Sequence, residues 1–102
     1  MKKQFVKSKD AWKVTFNPAL DCVGEANDVK VLGDFNNWNP EEALELKKQK
    51  DGSFKGSLDL DNQGEYHFKY FIDNTRWATE PAADENIKNQ FGETNSVIRT
   101  TK

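Results

Sequence analysis

Residues 65–73 constrain the fold of this chain more than any other segment. Tyr66, Phe68, Tyr70 and Ile72 recur at every second position, with Glu65, His67, Lys69, Phe71 and Asp73 between them. In an extended strand successive side chains point to opposite faces, so this spacing builds one apolar face and one mixed face. A helix would scatter the same residues around its circumference. The segment therefore reads as a strand, and the rest of the chain must cover its apolar row.

Shorter segments of the same kind supply candidates for that cover. Trp12, Val14 and Phe16 alternate with Ala11, Lys13 and Thr15, and Asn17-Pro18 ends the run. After a connection over residues 18–27, a second strand covers about Asp28 to Leu32. The stretch from Glu41 to Lys50 is ambiguous: its composition favours helix, yet Leu44 and Leu46 alternate with Glu45 and Lys47. An uncapped helix that short is marginal. Asp51-Gly52 is a hairpin signal leading into Ser53–Leu60, where Phe54, Leu58 and Leu60 are the apolar positions. Asp73-Asn74 forms a turn that lets Thr75–Ala78 pair back, since Asn tolerates positive φ. Thr79 to Thr94 lacks periodicity and reads as a long ordered loop, and Ser96–Thr100 is the last strand. About seven short strands separated by turns predict an all-β fold, with a β-sandwich as its natural form.

The length of 102 residues suits one domain. Residues 1–10 are polar and basic and are expected to be a flexible or edge segment, with 11–102 forming the domain proper. Charged residues make up 31% of the chain and hydrophobic ones 35%, so the core must be thin, and the aromatic 12% must supply much of it. A formal charge of −2 provides no broad basic field of the kind nucleic-acid binding requires. The lone Cys22 cannot close an internal disulfide and lacks the companions of a zinc site. Phe5 and Val6 are followed at once by Lys7, Ser8, Lys9 and Asp10, which leaves no apolar run for a signal or a membrane span. A cytoplasmic protein is expected.

Gly33-Asp34-Phe35-Asn36-Asn37-Trp38-Asn39-Pro40 places two large aromatics inside a run of turn formers. Such a loop either presents an outward indole to a ligand or plugs one end of the core, and the octapeptide alone leaves both readings open. A second segment, Gly64 to Trp77, and a third, Phe91-Gly92-Glu93-Thr94-Asn95, follow in order. Together the three resemble the carbohydrate-binding domains of the family 48 type. These are the early set, immunoglobulin-like modules found at the N-terminal side of isoamylase-like branching and debranching enzymes and in the glycogen-binding regulatory subunits of AMP-activated kinases. The pattern is G-x-F-N-x-W, then G-x-Y-x-[FY]-K-[FY]-x-[IV]-D-G-x-W, then G-x-x-N before a final strand, and it covers about residues 12–100. The resemblance favours a short strand within Glu41–Lys50 and an immunoglobulin-like sandwich.

The resemblance also implies a ligand and a site. The ligand would be an α-1,4-linked glucan such as glycogen or starch. Trp38 and Trp77 would stack on glucose rings, Lys69 and Asn95 would bind hydroxyls, and Phe91 would add an apolar contact. The residue chemistry agrees in kind, because sugars present both apolar C–H patches and rims of hydroxyls. Each residue also has a plainer reading: Trp77 packing on a sandwich edge, Lys69 solvated, Asn95 bonding loop backbone. Two departures stand out. The Asp73–Trp77 turn is one residue longer than the pattern, which could displace Trp77 or let Arg76 cover its face. Glu93 stands where a small hydroxyl residue is common. Trp12 is expected in the core or at an edge.

Catalysis is not expected. Glu41-Glu42 and Asp84-Glu85 are sequence neighbours in polar contexts, unlike carboxyls facing each other across a cleft. His67 is the only histidine and reads as a surface strand residue, and nothing indicates a metal or cofactor. The competing function is a protein-interaction module that docks on a glucan-metabolising enzyme through an edge strand or aromatic patch.

Overall fold

The alternating segment is the central strand of the molecule. The structure, a computed structural model, describes residues 1–19, 23–24 and 26–100. Cys22 lies outside the described residues. Among the described residues nine strands form, at Lys2–Val6 (β1), Ala11–Phe16 (β2), Val29–Gly33 (β3), Leu44–Lys48 (β4), Phe54–Asp61 (β5), Gly64–Ile72 (β6), Arg76–Ala78 (β7), Glu85–Lys88 (β8) and Thr94–Thr100 (β9). All pairings are antiparallel. Strands β1, β2 and β5 make one layer, and β3, β6, β9 and β8 make the other, with β7 also on β6. Strand β4 pairs with both β3 and β5 and curls the sheet from one layer into the next. The arrangement is an all-β, immunoglobulin-like sandwich.

The core is where the alternation meets itself. Val14 and Phe16 of β2 face Phe68, Tyr70 and Ile72 of β6, and all five are fully buried. Phe16 meets Phe68 edge to face at 5.3 Å, and Phe68 meets Tyr70 at 5.8 Å. Edge-to-face pairing puts the positive rim of one ring on the negative face of the other, which adds to the area each ring buries. Trp12 is partly buried at the margin, where Phe5 meets it at 5.4 Å and Asn62 accepts its indole N–H at 3.0 Å.

Two strands exceed the seven expected from the sequence. β1 pairs with β2 along its whole length. Lys3 ties it to the opposite layer, donating to the Asp84 carboxylate at 2.6 Å and the Arg99 carbonyl at 2.9 Å. The expectation of an unbroken loop over Thr79–Thr94 is corrected by β8, which pairs with β9. β8 has one apolar residue, Ile87, so backbone pairing forms it where side-chain periodicity is silent.

Candidate carbohydrate-binding site

The site is built on the outer face of β6. His67, Lys69 and Phe71 alternate with the buried row and project away from the core. Three loops then surround them.

The first loop leaves β3 at Gly33. A Cβ there would stand 2.5 Å from the His67 carbonyl oxygen and 2.8 Å from the Phe68 Cβ, so only glycine lets β3 run this close to β6. The Asn36 side chain accepts the Gly33 N–H and donates to the Val31 carbonyl, both at 3.0 Å. Phe35 packs inward, 6.2 Å from Phe16 and 6.3 Å from Tyr66. With those anchors set, Asn37 and Trp38 take left-handed backbone at φ 56 and 57. That conformation disfavours a bulky side chain and persists only where neighbours enforce it. Asp34 is the enforcing neighbour, accepting the Trp38 indole N–H at 3.0 Å and the His67 backbone N–H at 2.8 Å. The two aromatics of the octapeptide part ways: Phe35 plugs the core and Trp38 stands half-buried at the surface.

The second loop joins β6 to β7. Asp73 and Asn74 are left-handed, and Thr75 N–H closes the turn on the Ile72 carbonyl at 3.0 Å. Asp73 accepts the backbone N–H groups of Asn27 and Asp28, each at 2.8 Å. The extra residue of this turn is thus absorbed, and Trp77 registers directly across from Phe71. Their rings stack at 4.4 Å and 27°. Arg76 does not cover the indole; its guanidinium donates to the Val23 carbonyl. The cation near Trp77 is Lys69, 6.0 Å from the ring centroid.

The third loop connects β8 and β9. The Asn89 side chain accepts the N–H groups of Phe91 and Glu93 at 2.9 and 3.1 Å, which folds the turn tightly. Glu93 then reaches Lys69 at 3.4 Å. The Lys69 side chain is only 11% exposed, whereas Glu93 is 68% exposed, so the ion pair closes over a nearly buried ammonium.

These loops enclose an open depression of about 340 Å³, near the lower end of ligand-pocket sizes. Trp38, Lys69, Trp77 and Asn95 all line it, joined by Asp34, His67, Asn89 and Glu93. The two indoles lie 6.4 Å apart at 58°, forming an angled pair of walls, and Trp77 remains 48% exposed. Phe91 does not line the depression; it stands at the tip of the third loop, 78% exposed.

Sequence reasoning missed Asp34, His67 and Asn89. The alternation already placed His67 on the face of Lys69. Nothing local marked Asp34, whose bond to the His67 backbone depends on how β3 and β6 pack. Among the described residues no cluster of His, Cys, Asp and Glu could hold a metal ion, and no helix is long and apolar enough to cross a membrane.

In direct sequence comparison no curated protein matches the chain. At the level of families, residues 19–102 match the glycogen recognition site of AMP-activated protein kinase. That span begins after β2 and includes all three loops around the depression. The chain belongs to the family of that glycogen recognition site.

Proposed function

We propose that this chain is a non-catalytic α-glucan-binding module that holds glycogen or starch-like chains. The arrangement of Trp38 and Trp77 carries the reading: two indoles 6.4 Å apart flank one depression that also contains Lys69 and Asn95. Trp77 rests on Phe71 with one face and leaves area free for a sugar ring. Trp38 is held by its indole N–H, so little rotamer freedom is lost when a glucose ring stacks on it. Lys69 and Asn95 supply donors and an acceptor for hydroxyls. Phe91 extends the surface toward a longer chain. A shallow site of this size should bind at about 10 μM to 1 mM, or ~4–7 kcal/mol. We place the module in the cytoplasm as one domain, beside or within a glucan-metabolising enzyme assembly.

The test is a titration with maltoheptaose, followed by tryptophan fluorescence and amide shifts. Saturable shifts at Trp38, Lys69, Trp77 and Asn95 are expected. Trp38→Ala should weaken binding about 30-fold, the loss of a ~2 kcal/mol aromatic contact, with the fold intact. No response at millimolar sugar from a folded sample would refute the reading and leave the protein-docking module in its place.

A further inference from the structure

The layer opposite the glucan site carries a second depression of different chemistry. Lys2 of β1, Lys13 of β2 and Lys55 of β5 line a groove of about 450 Å³, together with Thr15 and Ser57. These residues share the outer face of their sheet, since Lys2 registers with Thr15, and Thr15 with Ser57. No carboxylate lines the groove. Among the described residues none of the three ammonium groups has an ion-pair partner. Asp59, directly across from Lys13, is held instead by Lys9 at 3.3 Å. Beyond the groove Lys47 of β4 registers directly opposite Lys55. Like charges in that position oppose strand pairing. Glu45, two residues before Lys47, registers with Lys30 on β3. A chain of net charge −2 therefore gathers four lysines on one face, and among the described residues none of the four is in an ion pair.

We propose that this face binds a ligand carrying several phosphate groups. Lysine ammoniums act as point charges and, with the hydroxyls of Thr15 and Ser57, offer single donors from several directions, which suits tetrahedral oxyanions. Planar carboxylates are better matched by arginine forks, and no arginine lines the groove. No aromatic lines it either, so a base or a sugar ring has nothing to stack on. Strands about 4.8 Å apart and same-face residues about 6.8 Å apart spread the lysines over roughly 17 Å. Flexible lysine stems reach inward from these positions, and several linked phosphates engage more of the ammoniums at once than one phosphate can.

The probe is inorganic tripolyphosphate, titrated into the full chain at low and at roughly physiological salt. Saturable amide shifts at Lys13, Thr15, Lys55 and Ser57 are expected, with affinity falling as salt screens the lysines. Tripolyphosphate should also raise the unfolding temperature, because it binds the folded face. Combining Lys13→Gln with Lys55→Gln should weaken binding about tenfold or more, while Lys50→Gln, in an exposed turn, should change it less than about twofold. Inorganic phosphate alone should bind far more weakly. Absence of saturable shifts, equal losses in Lys50→Gln, or a glutamate oligomer binding as tightly as tripolyphosphate would each overturn the proposal. If the double variant does not fold, the wild-type unfolding shift decides: no rise with tripolyphosphate overturns it.

Discussion

Replacing Asp34 with alanine should weaken glucan binding without touching either aromatic wall. Its carboxylate holds the Trp38 indole at 3.0 Å and the His67 backbone amide at 2.8 Å, so it fastens the first loop to β6. Hydrogen bonds to charged groups contribute ~1.5–3 kcal/mol each, and exposure of this carboxylate reduces that to about 1 kcal/mol apiece. Asp34→Ala should therefore lower unfolding stability by about 2 kcal/mol. Releasing the indole reintroduces the ~0.5–1.5 kcal/mol cost of ordering it on binding, which weakens glucan affinity about two- to twelvefold. Urea unfolding and maltoheptaose titration read the two effects separately. Asp34 also lines the depression, so a double-mutant cycle is needed to show how it acts. In a Trp38→Ala background, Asp34→Ala should cost no further affinity. A full additional loss there would show that Asp34 acts on the sugar directly. Unchanged affinity in the single variant would refute the pinning altogether.

Three further outcomes are expected. Gly33→Ala should destabilise the fold by about 2–3 kcal/mol in chemical denaturation, because its Cβ meets the His67 carbonyl at 2.5 Å; a neutral result would mean β3 and β6 separate easily. Glu93→Gln should raise maltoheptaose affinity about threefold by freeing Lys69, and it should remove an increase of wild-type affinity with salt; weaker binding would instead make Glu93 a sugar ligand. Burial raises the Asp84 pKa, but the Arg99 amide and the Lys3 ammonium outweigh it and hold the carboxyl below its ordinary range. A lowered folded pKa contributes stability that is present above the unfolded value and lost as pH falls through the folded one. Acid should thus loosen β1 before the core, and Asp84→Asn should abolish that part of the acid dependence measured by hydrogen exchange in β1; protection there that is insensitive to both would refute it.

What could be read from the chain alone was whatever depends on neighbours in sequence. Alternation at Tyr66, Phe68, Tyr70 and Ile72 assigns faces because successive side chains must point apart. Asp73-Asn74 and Asp51-Gly52 mark turns because their own backbones tolerate the required angles, as the positive φ of Asp73, Asn74 and Gly52 bears out. The same alternation sets Lys69 and His67 on one side. It cannot say that Lys69 is nearly buried, since that burial comes from Trp77 arriving on β7 and Glu93 on the third loop. Nor does it reveal β8, which exists because β9 offers its backbone to a segment with a single apolar residue. Phe91 is adjacent in sequence to the turn that closes the site, yet the bonds of Asn89 direct the tip outward. Asp34 and His67 are 33 residues apart, and their contact required Gly33 to bring two strands together. Local geometry is legible in a sequence because few torsions decide it; the depression is not, because its walls come from three loops whose register only the folded sheet determines.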